Sequence, residues 1–289
     1  MALIPAGVFR YGCDRREGHP SDGEGPSRPV MLEAFLIDKY AVSSARFARF
    51  VAATGYQTEA ERLGWSFVFA GLLPDDFEET RGVAAAPWWR QVFGADWRHP
   101  EGPHSSIEGR ETNPVTHVSH NDALAFCVWA GKRLPREAEW EKAARGGLEG
   151  ARFPWGDEET PGGRHPCNVW QGTFPSHNAC GDGFYGLAPV DSFEPNGYGL
   201  HNMAGNAWDW CADWFTPLRF GREGLARPAP DASAILDPRG PEDGELRVMR
   251  GGSYLCHPSY CWRYRNGARS SATPDSGAGH ISFRCVVDV

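Results

Sequence analysis

Residues 118–147, VSHNDALAFCVWAGKRLPREAEWEKAARGG, carry the clearest helical signal in the chain, and the loss of that signal beyond them decides the fold class. Ser119 precedes an apolar run and Asp122 follows three residues later. In that pattern an N-cap hydroxyl and a third-position carboxylate satisfy each other's backbone amides. Ala123, Phe126, Cys127 and Ala130 recur at helical spacing, and Gly131 offers the left-handed residue that stops a helix. Pro135 is placed to open a second helix, with Glu137, Glu139 and Glu141 favouring its start. Gly146–Gly147 ends it.

Upstream of this pair, Leu3–Phe9 and Pro29–Ile37 read as strands flanking a polar Gly/Pro loop, Arg15–Arg28. A helix follows Ser43, with Phe47, Phe50 and Val51 on one face and Gly55 at its end. From Gly64 to Asn113 the chain reads as an irregular, Trp-rich excursion (Trp65, Trp88, Trp89, Trp97) forming one wall of a groove. Downstream, Phe153–Val248 has almost no helical periodicity. A structureless stretch of that length inside a compact domain needs something to organise it, and bound cations are one answer. With 35 Gly, 23 Pro and 12 Trp in 289 residues, many turns and few long elements should follow. There is no internal repeat and no low-complexity linker. The expectation is a mixed α+β, loop-rich single domain over residues 1–289 with low regular secondary structure.

A formal net charge of -8 disfavours nucleic acid as a partner, because neutralising phosphates needs a basic face. The one local basic cluster is Arg263, Arg265 and Arg269. No basic stretch followed by an apolar run opens the chain, and no segment approaches the roughly 20 apolar residues of a membrane span. A cytoplasmic protein with no membrane partner is expected. Eight cysteines in 289 residues fall short of a disulfide scaffold. Cys13, Cys127, Cys167, Cys180, Cys211 and Cys285 are scattered, and Cys256 and Cys261 form a local pair.

That pair lies in RGGSYLCHPSYCWRYR, residues 250–265, beside Ser253, Tyr254, His257, Tyr260 and Trp262. Thiolates favour soft ions such as Cu(I), whereas zinc takes further ligands that no nearby CxxC or HxxxH supplies. Neighbouring arginines would lower the thiol pKa. The spacing alone leaves a disulfide, two buried thiols and a soft-metal site all open.

GGSYLCHPSYCWRYR, with NMAGNAWDW, NVWQGTFP, AGKRLPREAEWEKAARGG and the closing ISFRC, resembles the formylglycine-generating enzymes, the sulfatase-modifying factor family. The likeness runs from Ile4-Pro-Ala-Gly-Val-Phe9 to Phe283-Arg-Cys285. GNAWDW and KRLPREAEWE are shared with non-enzymatic relatives, whereas the paired cysteines are specific to the catalytic branch. The resemblance implies a loop-rich single domain related to C-type lectins. It also implies an oxidase that uses O2 and a thiol reductant to convert the cysteine of a Cys-x-Pro-x-Arg segment in a sulfatase to formylglycine. It makes Cys256 and Cys261 the Cu(I) ligands, with Ser253, Trp208 and Tyr260 in the substrate groove. Taken singly, Trp208 reads as core packing.

The resemblance further implies two structural Ca2+ sites, built from the oxygen ligands that hard cations prefer. The first comprises Asn168 and Asp182 with the carbonyls of Val169 and Phe184; the second comprises Asn202 and Asp209 with those of Gly205 and Ala207. Without it, such residues read as turn formers. Asp209 stands where relatives often carry Glu, which shortens its reach. Cys127 and Cys285 match a family disulfide, expected to be often reduced in a cytoplasm. A second family disulfide has no counterpart, since Ala143–Ala144 and Asn266 occupy that region. His280 stands where some relatives have Asn near the peptide-binding surface. Two other readings are a lectin-like binding module of the same superfamily and a partner of iron-dependent sulfoxide synthases. Retention of both cysteines argues against the first, and the lack of an HxxxHxE triad against the second.

Overall fold

The computed structural model describes residues 1–218, 227–228 and 234–289. Each amino-terminal apolar stretch divides in two, giving β1 (Ala2–Ile4), β2 (Gly7–Tyr11), β3 (Arg28–Leu32) and β4 (Phe35–Ile37). The division follows from pairing: β1 runs antiparallel to β4, while β2 runs antiparallel to β3 in another sheet. Helix α1 (Ser44–Thr54) begins where the Ser43 hydroxyl accepts the Arg46 N–H and ends at left-handed Gly55. Its Phe47, Phe50 and Val51 are buried as the spacing required.

The expected irregular course from Gly64 to Asn113 is corrected. A short helix, α2 (Glu59–Leu63), is capped by Thr58 and Glu61. Beyond it β5 (Trp65–Phe69), β6 (Gly82–Val83) and β7 (Ala86–Phe93) form an antiparallel sheet in the order β5–β7–β6. Aromatic and apolar residues fall on both faces of β5 and β7, so the alternation that marks a strand is blurred. In β7 only Trp89 and Val92 are fully inside, and Trp88 is half-buried.

Helix α3 (His120–Trp129) carries the expected reciprocal cap: Asp122 N–H donates to Ser119 Oγ at 3.1 Å and Ser119 N–H to Asp122 Oδ2 at 2.8 Å. Helix α4 (Glu137–Arg145) starts two residues past Pro135, because Glu139 reaches back to the Arg136 N–H at 2.7 Å. Glu137, Glu139 and Glu141 are all buried. Their main partners are arginine guanidinia, which corrects the expectation that they serve chiefly the start of the helix.

Past α4 the chain is largely irregular, as expected. A minimal hairpin, β8 (Gly172–Thr173) and β9 (His177–Asn178), precedes the seven-residue strand β10 (Trp208–Trp214). Residues 219–226 and 229–233 of that stretch lie outside the described residues. β11 (Arg227–Pro228) and β12 (Ile235–Leu236) extend the β2–β3 sheet. β10 is central to a second sheet with β13 (Arg247–Arg250), β14 (Ser270–Ala272) and β15 (Ile281–Ser282), ordered β14–β13–β10–β15. β16 (Val286–Asp288) returns to β4. Among the described residues no helix is long and apolar enough to cross a membrane.

Candidate active site

Strand β13 delivers the chain to Gly251 and Gly252, both in the left-handed region with φ of 94° and 76°. A Cβ on Gly252 would lie 3.0 Å from the Tyr264 nitrogen, so the turn needs glycine there. A tight turn follows: Cys256 N–H donates to the Ser253 carbonyl at 2.9 Å, and Ser253 N–H points at Cys256 Sγ at 3.4 Å. The His257 carbonyl then accepts from the amides of Tyr260 and Cys261, both at 2.9 Å, and Trp262 at 3.1 Å. This winding folds Cys261 back onto Cys256. Their Cα atoms are 5.1 Å apart, and the structure holds the two sulfurs joined as a disulfide. Both residues are buried, at 1% and 4% exposure.

The arginines expected to activate these thiols are engaged elsewhere, which corrects the idea of an open basic cluster. Arg265 makes two 2.7 Å bonds to Glu24, Arg263 pairs with Asp22, and Arg269 pairs with Glu137. A guanidinium sheltered from water carries its counterion with it. Arg250 is fully buried and bridges Glu137 at 2.6 Å and Glu141 at 2.7 Å, tying the start of the turn to α4.

The surroundings of the pair are aromatic. Tyr260 stacks on Phe174 with ring centres 4.6 Å apart, and Trp88 meets both edge-on at 4.8 and 5.0 Å. Trp170 adjoins Phe174 at 5.4 Å and Phe69 at 5.5 Å, and its backbone amide donates to the Cys256 carbonyl. Tyr260 remains 36% exposed, so this aromatic wall reaches the surface beside the cysteines. Trp208 opens β10, donates its amide to the His280 carbonyl at 2.9 Å, and belongs to the same apolar cluster as both cysteines. The His280 ring lies 4.4 Å from Trp89, and burial pushes its pKa down to about 3. The Ser253 hydroxyl accepts the Leu255 N–H at 3.4 Å. Trp88 lies in the Trp-rich stretch expected to wall a groove, whereas Trp170 and Phe174, both within NVWQGTFP, join that wall without a local sequence signal.

The first oxygen cluster converges in part. Asp182 accepts from Val169 N–H at 3.1 Å, Phe184 N–H at 2.9 Å and the Gln171 amide at 2.8 Å. That same Gln171 amide also donates to the Val169 carbonyl, so the Val169 and Asp182 oxygens face one point. The Asn168 side-chain amide turns instead to the Gly186 carbonyl and Asn206 Oδ1. In the second cluster, Asp209 Oδ2 accepts from Trp140 Nε1 at 2.9 Å and Arg284 Nε at 2.6 Å. Among the described residues, Asp209 Oδ1 and Asn202 Oδ1 are buried without a hydrogen-bond partner. Gly205 and Ala207 flank Asn206, a residue that sequence reasoning missed. Cys127 and Cys285 lie with their sulfurs 3.5 Å apart and unjoined.

Cavity size does not single out this region. The larger cavities, about 840 Å³ beside Arg136 and Arg247 and about 460 Å³ beside Cys13 and Glu24, are not lined by either paired cysteine. The cysteine chemistry and the aromatic wall do.

A family model described as the sulfatase-modifying factor enzyme 1-like domain matches residues 1–289. The formylglycine-generating enzyme of Thermomonospora curvata is 57% identical over all of this chain and 93% of its own length. A Bos taurus protein named inactive C-alpha-formylglycine-generating enzyme 2 is 40% identical over 99% of this chain and 87% of its own. Among solved structures, PvdO from Pseudomonas aeruginosa superposes with a TM-score of 0.69 at 26% identity, covering 99% of this chain and 93% of that one. With the family model matched from end to end, the chain belongs to the sulfatase-modifying factor family.

Proposed function

We propose that the chain is a formylglycine-generating enzyme that uses O2, a thiol reductant and Cu(I) to convert the cysteine of a Cys-x-Pro-x-Arg segment in a sulfatase to formylglycine. The observation that carries this reading is the buried Cys256–Cys261 pair beside an aromatic wall that reaches the surface. Two sulfurs brought together by one turn suit a soft ion once reduced. Among the described residues, no group of three or more His, Cys, Asp or Glu side chains is placed to hold a metal. The donor set is therefore two thiols, and not the three or four ligands that zinc takes. Copper bound there would supply the one-electron chemistry with O2 that the side chains lack. The electrons balance: the substrate cysteine gives two, the reductant two, and O2 accepts four.

The protein's own residues orient the reaction. Trp88, Phe174 and Tyr260 offer an apolar surface for an extended peptide, and the Ser253 hydroxyl keeps its proton to donate to a substrate sulfur. Trp208 helps seal the pair from water. The same reading gives Ca2+ a structural place at Asn168, Val169, Asp182 and Phe184, supported by the oxygens gathered around the Gln171 amide. It gives a second Ca2+ to Asn202, Gly205, Ala207 and Asp209, supported by the two buried unpartnered oxygens. We place the enzyme in the cytoplasm, where Cys127 and Cys285 would stay reduced.

The test is incubation with a Cys-x-Pro-x-Arg peptide, Cu(I) and a thiol reductant, followed by mass analysis for the aldehyde. Cys256→Ala and Cys261→Ala should each lose tight copper binding and turnover without additivity, because two ligands of one ion fail as a unit. Cys180→Ala should keep both. Peptide that binds without conversion would move the chain to the non-catalytic reading.

A further inference from the structure

The Trp170 N–H that donates to the Cys256 carbonyl at 3.0 Å belongs to the same peptide group as the Val169 carbonyl, an oxygen of the first cluster. One peptide back, the Asn168 carbonyl accepts the Asn206 N–H at 2.8 Å, and the Val169 N–H donates to Asp182 Oδ2 at 3.1 Å. The Asn206 N–H shares its peptide group with the Gly205 carbonyl, an oxygen of the second cluster. Asn206 is also bonded to the cysteine turn, because its carbonyl accepts the Tyr254 N–H at 3.0 Å. Asn206 is 1% exposed and its amide is engaged at both ends: Oδ1 accepts from Ala188 N–H at 2.9 Å and Asn168 Nδ2 at 3.1 Å, and Nδ2 donates to the Ala188 carbonyl at 3.0 Å. Three peptide groups thus join both oxygen clusters to the backbone of Cys256.

We propose that cation occupancy of the Asn168–Phe184 cluster and the redox state of the Cys256–Cys261 pair are thermodynamically coupled through these peptide groups. The proposal rests on the calcium assignment above. A peptide group is a rigid plane, so a cation that fixes the Val169 carbonyl also fixes the direction of the Trp170 N–H. Charge drawn toward the cation makes that N–H a stronger donor, since hydrogen-bonded groups in a low-dielectric interior polarise one another. The Cys256 carbonyl is then held where its sulfur meets that of Cys261. Calcium therefore stabilises the closed pair, and by reciprocity the closed pair tightens calcium binding by the same factor.

The experiment equilibrates the whole protein in glutathione buffers of graded potential, with calcium chloride or after chelation. Thiols are trapped by alkylation, and the peptide that contains both cysteines is quantified. Calcium should make the disulfide about tenfold harder to reduce, a potential lower by about 30 mV. Asp182→Asn should abolish that calcium dependence. If that variant fails to fold, the wild-type titration decides alone. Bound calcium with an equilibrium constant unchanged within about twofold overturns the coupling by itself; absence of calcium binding overturns it together with the cation assignment. Neither arm reads peptide turnover, so the outcome is independent of whether the chain makes formylglycine.

Discussion

The cysteine turn is held from two sides by opposite means. On the α4 side, buried carboxylates meet buried guanidinia: Glu137 with Arg250 and Arg269, and Glu141 with Arg250 and Arg145. On the other side, residues 168–206 are joined by amides and carbonyls, and one buried ion pair, Asp209 with Arg284, lies beyond them. Among the described residues, Asp182 accepts only from N–H groups, and two buried oxygens, Asn202 Oδ1 and Asp209 Oδ1, stand unpartnered. A charge network in which each buried carboxylate meets a guanidinium behaves as scaffold, even though Arg250 Nε has no partner among the described residues. A region rich in oxygen acceptors behaves as a receptor for something positive.

The sharpest way to break this comparison is Arg250→Ala. Removing one member of a buried pair strands the others, so a loss of about 3–5 kcal/mol is expected in urea unfolding. A loss under about 1 kcal/mol would mean that the α4 side is not the scaffold. On the other side, calcium removal should cost about 2.7 kcal/mol relative to calcium at a hundredfold above its Kd, read as a lower Tm. An unchanged Tm would leave the oxygen-rich side without a ligand to justify it.

A pH titration sharpens the contrast further. Burial pushes the pKa of His117 down to about 4 and those of His120 and His280 down to about 3. Between pH 6.5 and 4 the unfolded chain therefore binds protons that these histidines refuse, and stability falls as pH falls. Asp213 opposes this. Burial first, and then the charge of Glu137, raise its pKa to about 6, so the folded protein takes up a proton there and gains stability below that pH. Three histidines against one carboxyl leave a net loss of about 2.5 kcal/mol per pH unit from pH 6 to pH 4.5. His117→Asn should flatten the slope, since Asn tolerates the φ of 58° at that position. The smallest expected effect belongs to neither side: Ser119→Ala, which removes only the α3 cap, should cost about 1 kcal/mol in the same unfolding assay.

What was legible in the sequence was local. The caps of α1 and α3, the glycine stops and the proximity of Cys256 to Cys261 depend on residues within a turn of each other. The β5–β7 sheet was missed because aromatics on both faces hide its two-residue period. The roles of Glu137 and Glu141 were misread because their partner Arg250 stands 113 and 109 residues away, where no local pattern reaches. Asn206 was passed over because it acts through its backbone and an amide side chain, and an asparagine in a Gly-rich motif reads first as a turn former.

The order in which the chain emerges bears on when this site exists. Trp208 and Asp209 are held in parallel register by Ile281 and Ser282, and Val286–Asp288 closes the sheet begun by Phe35–Ile37. During synthesis the aromatic wall and the cysteine turn are therefore complete in sequence before the strands that seat them have left the ribosome. Contacts of such long sequence separation form slowly, so the site is seated late in folding, when Ile281–Ser282 and Val286–Asp288 dock.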